Sequence, residues 1–127
     1  MNSWTADDLD RIGGAEEVRI SSQRPDGSYR PYVIIWAVRA GDALFVRSAY
    51  GATNPWYRRA LAAGAGRISA GGVERDATFE TVGADETDMQ AAIDGAYHSK
   101  YDRHGPQIVG TVVGPGAHLT TLRLIAA

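Results

Sequence analysis

The sequence predicts a mainly antiparallel β fold, in which a small barrel or a curled sheet carries helices on its outside. Six segments have the composition and alternation typical of strands, and turns rich in glycine and proline separate them. Only three segments have the spacing of helices, and most of these are short. One strand, within residues 29–39, is apolar on both faces, which is typical of a strand that is covered on both sides.

The first part of the chain predicts a helix followed by a β-hairpin. Thr5 and Asp8 form a capping-box pattern, so we expect a helix over residues 6–12, ended by a pair of glycines. A strand, a turn, a second strand and a third strand follow in order: residues 16–24, 25–28, 29–39 and 43–49.

Candidate chemistry is concentrated in residues 44–64. A strand ends at Arg47 and Ser48, a glycine-containing loop follows, and an Asn-Pro pair then begins a helix over residues 56–63. Two more arginines lie in the first turns of that helix, where positive side chains are unfavourable unless an anion binds: Arg58 and Arg59. The segment therefore predicts an anion site, such as one for a cofactor phosphate. The alternative is that the arginines pair with carboxylates on neighbouring strands: Asp42, Glu74 and Asp76.

The second half of the chain predicts another hairpin, a long helix and a final strand. The second arm of the hairpin alternates between apolar and acidic residues. The long helix has an apolar stripe at spacings of three and four that includes Met89, Ile93 and Tyr97. In order, the elements are strands over residues 67–70 and 73–82, a helix over 85–101, a glycine- and proline-rich stretch over 105–116, and a strand over 119–125.

Composition excludes several classes of protein. The 127 residues are enough for a single domain with its own core, here residues 1–127. A net charge of −2 argues against nucleic-acid binding, and the absence of cysteine excludes disulfides and thiol chemistry. The three histidines lack metal-ligand spacing, so we expect no metal. The longest apolar run is too short for a membrane span and the N-terminus is acidic, which predicts a soluble cytoplasmic protein.

Common nucleotide and hydrolase motifs are absent. Gly64 and Gly66 follow a helix and lack the third glycine of a dinucleotide-binding fingerprint. The chain also has no phosphate-binding loop of the Gly-x-x-x-x-Gly-Lys-Ser/Thr type and no Gly-x-Ser-x-Gly nucleophile elbow.

A set of short motifs spread over residues 4–124 resembles a known family. The most specific is the series Arg47, Ser48, Gly51, Trp56, Tyr57 and Arg58. Further matches are Asp26-Gly27 with Arg30, Ile35-Trp36 with Val38, Ala96-Tyr97 with Lys100-Tyr101, and the run Thr120 to Leu124. These features are similar to bacterial domain-of-unknown-function family 2255. That family lies within the FMN-binding split-barrel superfamily, which includes pyridoxamine-phosphate oxidases and deazaflavin-dependent nitroreductases.

The resemblance implies a six-stranded antiparallel split β-barrel with peripheral helices that forms a homodimer. It also implies an oxidoreductase that binds a flavin-type cofactor, FMN in preference to a deazaflavin, and acts on a small organic molecule. At the hairpin where deazaflavin nitroreductases carry a basic motif, this chain offers Arg24, Ser28 and Arg30. The rival hypothesis is a cofactor-free barrel whose cavity binds or cyclises an apolar metabolite. A third is an interaction module without a small ligand.

The candidate cofactor-binding residues are Arg30, Arg47, Ser48, Gly51, Trp56, Arg58 and Lys100, and no catalytic residue is assigned. Several of them have a structural alternative. Trp56 either stacks on a ligand or covers the core beneath the loop. Lys100 either closes a pocket across a dimer interface or extends to the surface from a core-facing helix. For Arg30 the alternative is a solvated turn.

Overall fold

The computed structural model describes residues 3–127, in which seven strands and five α-helices are found. The strands are β1 (Val18–Ser22), β2 (Val33–Ile35), β3 (Ala37–Ala40), β4 (Ala43–Arg47), β5 (Ala65–Ala70), β6 (Val73–Thr81) and β7 (Thr121–Ala126). The helices are α1 (Ala6–Gly14), α2 (Pro55–Ala63), α3 (Thr87–Tyr101), α4 (Pro106–Val109) and α5 (Pro115–His118), with a 3₁₀ turn at Asp102–His104. Within residues 3–127, no helix has the length and apolar character needed to cross a membrane.

All seven strands belong to one antiparallel sheet that closes on itself as a split barrel. The strand order is β2-β1-β5-β6-β7-β4-β3. Its two outer strands, β2 and β3, are consecutive in the chain and are separated only by Trp36. The same stretch of chain therefore pairs with β1 through its first half and with β4 through its second half. This brings the two edges of the sheet together, and the split lies where β2 and the end of β4 do not pair with each other.

The structure confirms the predicted fold class but has seven strands instead of six, because the returning strand of the first hairpin is broken at Trp36. The Trp36 carbonyl accepts a hydrogen bond from Tyr97 Oη at 2.9 Å. The next carbonyl, of Ala37, accepts from Lys100 Nζ at 2.7 Å and from Tyr101 Oη at 3.2 Å. Side chains of α3 thus bond to the strand backbone at the point where its two halves change partners.

Apolar cores lie on both sides of the sheet. Leu44 and Val46 of β4 belong to the barrel interior, which α1 and α2 close. Val38 and Phe45 face the other way and pack beneath α3 in a second core. Every residue of β4 is buried as a consequence.

The second core explains much of the two-sided apolar strand from which we expect a homodimer. Val38 is covered by α3 of the same chain, whereas Tyr32, Val33 and Ile34 remain exposed. The homodimer stays a prediction, and these three residues are the part of that strand still available to a partner.

Helix boundaries agree with their local signals in most cases. Both hydrogen bonds of the Thr5–Asp8 capping box are present at the start of α1. Gly64 ends α2 with a left-handed φ of 65°, which glycine adopts without strain. The predicted loop over residues 105–116 instead contains α4 and the start of α5, each of which begins with a proline.

Candidate functional site

An apolar cavity of about 420 Å³ opens in the split of the barrel. Its walls come from β2, from the loop after β4, from the start of α2 and from the α4 segment. The main apolar lining residues are Val33, Ile34, Ile35, Trp36, Trp56, Ile108 and Val112. Val33, Ile34 and Ile108 are large hydrophobic side chains that remain exposed. Exposed apolar side chains gathered around a concave surface favour binding of an apolar or aromatic group.

The loop after β4 forms one rim of this cavity. Ser48 is buried, and its hydroxyl donates to the Gly51 carbonyl at 2.6 Å, so this predicted site residue shapes the loop. Gly51 has a φ of 93° and Tyr50 a φ of 67°, which is an uncommon backbone conformation for a residue other than glycine. The Tyr50 side chain is 79% exposed and lines the cavity. The loop therefore presents an aromatic ring at the cavity entrance.

The start of α2 lies between this cavity and a second concavity. Asn54 occupies the N-cap position as predicted, but its side chain makes no capping bond to α2. It donates instead to the Ala49 carbonyl at 3.4 Å. Trp56, in the first turn, is 9% exposed, packs in the barrel core and lines the apolar cavity. It therefore covers the core, and its stacking on a ligand stays a prediction. The first turn of α2 therefore has neither a side-chain cap nor an acidic residue, which favours a nearby anion.

The second concavity is a basic groove of about 680 Å³, lined by the first hairpin turn and by one side of α2. Four arginines line it, with no carboxylate among the lining residues: Arg24, Arg30, Arg58 and Arg59. None of the four takes part in an ion pair within residues 3–127. Four clustered guanidinium groups that form no ion pair within residues 3–127 repel one another, and an anionic ligand would relieve that repulsion. We call this concavity the arginine groove.

A narrow gap of about 10 Å³ separates the arginine groove from the apolar cavity. Arg30 and Arg59 line both the groove and the gap, while Val33 and Trp56 line both the gap and the cavity. The three spaces therefore form one continuous surface that is apolar at one end and cationic at the other.

Arg47, the residue most central to the predicted anion site, is a buried structural residue. Its Nη1 donates to Asp94 Oδ1 at 2.5 Å and to the Val112 carbonyl at 2.8 Å. Its Nη2 donates to Gln90 Oε1 at 2.5 Å and to the Gln90 carbonyl at 3.3 Å, and Nε donates to Thr121 Oγ1 at 3.0 Å. These five bonds occupy all five donors of a guanidinium, so Arg47 has no N–H group left for an anion. The arrangement is the ion-pair alternative, with Asp94 of α3 as partner in place of Asp42, Glu74 or Asp76.

Asp94 connects Arg47 to the C-terminal segment of the chain. Its Oδ2 lies 2.9 Å from His118 Nε2. Burial by itself raises the pKa of Asp94, but hydrogen bonds from His118 and Arg47 outweigh that effect and hold the pKa below its usual value. The sequence did carry a signal for this cluster, because Gln90, Asp94 and Tyr97 repeat at spacings of four and three on one face of α3. Two polar residues on a face with a buried tyrosine require a polar partner.

Lys100 lies apart from the other candidate residues. It lines a third cavity, formed by α1, β3 and α3, which shares no lining residue with the apolar cavity or with the arginine groove. The structure therefore brings Arg30 and Arg58 together in the groove and Trp56 next to them. The hydrogen bonds of Arg47 and Ser48 and the turn at Gly51 hold the wall and the loop of the apolar cavity in place. Lys100 lies in a separate cavity.

Two solved structures are similar to this chain over most of its length. One is an F420 reductase, 18% identical, with a TM-score of 0.55 and coverage of 93% of this chain and 87% of that protein. The other is the conserved hypothetical protein Rv2991 from Mycobacterium tuberculosis, 9% identical, with a TM-score of 0.64 and coverage of 99% and 82%. At these identities the likeness shows the split-barrel fold.

Among curated proteins, none matches this chain. A family of uncharacterized proteins conserved in bacteria, DUF2255, matches residues 8–124, which is nearly the whole chain. The chain therefore belongs to the DUF2255 family.

Proposed function

We propose that this protein is an oxidoreductase that binds a flavin-type cofactor, either a flavin phosphate or a deazaflavin, and acts on a small organic molecule. The observation that carries the proposal is the continuous surface from the apolar cavity to the arginine groove. A flavin-type cofactor has the same division, with a flat, largely apolar ring system at one end and an anionic tail at the other. The fold is also that of a protein described as an F420 reductase.

The chemistry of the lining residues agrees with such a cofactor. Arg30 and Arg58 would hold its anionic group, supported by Arg24 and Arg59 and by the uncapped start of α2. The aromatic residues of the cavity would contact the ring: Trp36, Tyr50 and Trp56. Arg47 and Ser48 would act indirectly, because their hydrogen bonds fix the cavity wall and the loop. The bound cofactor supplies the redox chemistry, and the chain contributes binding, orientation and exclusion of water.

FMN and deazaflavin remain two forms of the same proposal. The sequence favours FMN, since the first hairpin lacks the fully basic motif of deazaflavin nitroreductases. The likeness to an F420 reductase favours a deazaflavin. Four arginines without carboxylate partners favour a tail with more than one negative charge in either case.

Ligand fluorescence titration tests the proposal with three probes: FMN, riboflavin, which lacks the phosphate, and the deazaflavin F420. We expect FMN or F420 to bind saturably, and FMN more tightly than riboflavin. Arg58→Ala should weaken phosphate-dependent binding by roughly tenfold or more, since hydrogen bonds to charged groups contribute about 1.5–3 kcal/mol each. Arg19→Ala is the matched control, because Arg19 is exposed, lies outside the groove and pairs only loosely with Glu17 at 3.8 Å.

Two results would contradict the proposal. One is that neither FMN nor F420 binds, which would favour the cofactor-free cavity. The other is that binding is equally tight with and without the phosphate and is unchanged by Arg58→Ala. If a cofactor binds, its reduced form should be reoxidised by a small organic acceptor faster on the protein than in free solution. Binding without that acceleration would leave a cofactor-binding protein that is not an oxidoreductase.

A further inference from the structure

Lys100 is the single lysine of a chain that contains twelve arginines. It lies in the last turn of α3 and lines a cavity of about 410 Å³. Its lining combines apolar residues, which include Leu9 and Val38, with polar and charged ones, and the glycine pair that ends α1 forms one side, Gly13 and Gly14. We call this space the lysine cavity.

The Lys100 amine has an environment that is unusual for a lysine. Its Nζ donates to the Ala37 carbonyl at 2.7 Å and lies 5.1 Å from the centroid of the Tyr101 ring. It forms no ion pair in the described part of the chain. An ammonium group has three N–H donors, and residues 3–127 supply one acceptor for them.

The other charged side chains that line the lysine cavity, Asp10 and Arg39, pair with each other and not with Lys100. Arg39 Nη1 donates to Asp10 Oδ1 at 2.7 Å, and Arg39 Nη2 lies 3.7 Å from Asp42. Asp10 of α1 is therefore already paired with a guanidinium and does not approach the amine. Burial without a counter-ion lowers the pKa of Lys100 to about 8.

From this geometry we propose that Lys100 is a site of imine formation, which accepts a neutral aldehyde or ketone in the lysine cavity. The lone pair of the uncharged Nζ adds to the carbonyl carbon as the C=O π bond breaks, and one Nζ proton moves to the carbonyl oxygen to give a neutral carbinolamine. One proton from solvent then lets the hydroxyl group leave as water, and the nitrogen lone pair forms the C=N bond of a protonated imine that keeps the last Nζ proton. No electrons are gained or lost overall, so the step needs no oxidant or reductant.

The lining of the cavity determines the class of carbonyl compound. Arg39 is the other cation in this cavity, and its bonds to Asp10 and to the Gly41 carbonyl leave it poorly placed to hold a carboxylate or phosphate. The apolar walls favour a ligand with a small apolar body. The site is independent of the proposed cofactor site, because the lysine cavity shares no lining residue with it.

Reductive trapping tests the proposal on the intact protein. Benzaldehyde and sodium cyanoborohydride are added at pH 7, and mass spectrometry of peptides follows benzylation of Lys100. The same chain unfolded in urea is the reference. With a pKa of about 8 in place of 10.5, the uncharged fraction of the amine at pH 7 is about 300-fold larger. Part of that gain is offset by lower nucleophilicity, so we expect folded protein to react on the order of tenfold faster or more. The reaction should also saturate with benzaldehyde, and its rate should rise with pH to a midpoint near 8.

A second variant separates the cavity from the amine. Gly14 lines the cavity and a Cβ added there meets no atom within 4 Å, so the side chain of Gly14→Leu begins in open space beside the cavity. We expect this variant to lose saturable benzaldehyde trapping while Lys100 still reacts with formaldehyde. Lys100→Arg should leave only the α-amino group to react. The proposal is overturned if Lys100 reacts more slowly in the folded protein than in the unfolded chain. It is equally overturned if the benzaldehyde rate does not saturate, or if Gly14→Leu leaves it unchanged.

Discussion

Replacing Arg47 with alanine tests the polar cluster that joins the barrel to α3. The Arg47 side chain has no exposed surface. Its removal takes a donor away from the Asp94 carboxylate, the Gln90 side-chain oxygen and the Val112 carbonyl. Asp94 keeps His118 and the Gln90 side-chain oxygen keeps the Thr121 hydroxyl, but the partly buried carboxylate loses its guanidinium. The variant should therefore fold into a protein that is much less stable, with the loss measured as a lower free energy of unfolding.

The exposure of the two side chains determines how much stability Arg47→Ala and Asp94→Ala should each lose. Breaking a buried ion pair by removing one member costs about 3–5 kcal/mol. The Asp94 side chain is 25% exposed and keeps His118 as a neighbour. We therefore expect Arg47→Ala to lower the free energy of unfolding by about 3 kcal/mol, the lower end of that range. Asp94→Ala leaves the Arg47 guanidinium with no exposed surface and without its carboxylate partner. We therefore expect this variant to lower the free energy of unfolding by about 5 kcal/mol. The double variant should cost less than the sum by about 1–3 kcal/mol.

Urea unfolding followed by tryptophan fluorescence and by circular dichroism measures these free energies. Arg19→Ala is the control, because its exposed contact with Glu17 is worth about 0–1 kcal/mol. If Arg47 instead held an anion through free donors, Arg47→Ala would cost little and would abolish stabilisation of the protein by phosphate. An Arg47→Ala variant within about 1 kcal/mol of the parent would refute the buried ion pair.

Two further predictions concern acid stability and backbone packing. Because the folded pKa of Asp94 is lowered, its contribution to stability is present above the usual aspartate pKa and is lost as the pH falls through the folded value. Urea unfolding at a series of pH values should show that Asp94→Asn loses less stability than the parent below about pH 4. If the free energy of unfolding falls equally with pH in both proteins, the lowered pKa of Asp94 is contradicted. Gly66→Ala should destabilise the protein by roughly 1–3 kcal/mol in thermal or urea unfolding, since its Cβ would clash with the Ser21 carbonyl oxygen of the neighbouring strand. Gly95→Ala, where a Cβ meets nothing within 4 Å, should instead stabilise α3 by about 0.5–1 kcal/mol, and a similar cost at both sites would argue against that packing.

Local signals were sufficient for most elements of the fold. The capping box at Thr5, the Pro-Asp-Gly-Ser turn and the alternation of the second hairpin are all decided by neighbours in sequence, and the structure has each of them. The break at Trp36 could not be predicted in this way. It depends on hydrogen bonds from Tyr97 and Lys100, which lie more than sixty residues further along the chain. For the same reason the number of strands was one too low, although the class was right.

The candidate site shows the same limit. The sequence places Arg58 near a helix start and Arg30 beside a turn, and the structure has both in the arginine groove, while their binding of a cofactor stays a prediction. Arg47 looked similar but has partners on α3, and no pattern around residue 47 indicates them. The sequence suggested a cavity but did not identify Ile34 and Ile108 as lining residues, because they come from distant segments of the chain. Only closure of the barrel brings those residues together.

The position of Arg47 also determines which variants can test cofactor binding. The Val112 carbonyl accepts a bond from Arg47, and Val112 lines the apolar cavity, so disruption of the ion pair moves the cavity wall as well. Trp36 lines the same cavity and stacks on Tyr101 of α3 with ring centroids 4.1 Å apart. Weaker FMN binding by Arg47→Ala would therefore follow from either direct contact or a displaced wall. Arg58 is exposed and makes no ion pair in the described structure, so its removal changes the charge of the groove and leaves the core intact. A loss of phosphate-dependent binding in Arg58→Ala, at unchanged stability, would therefore be assigned to the charge of the arginine groove and not to a displaced cavity wall.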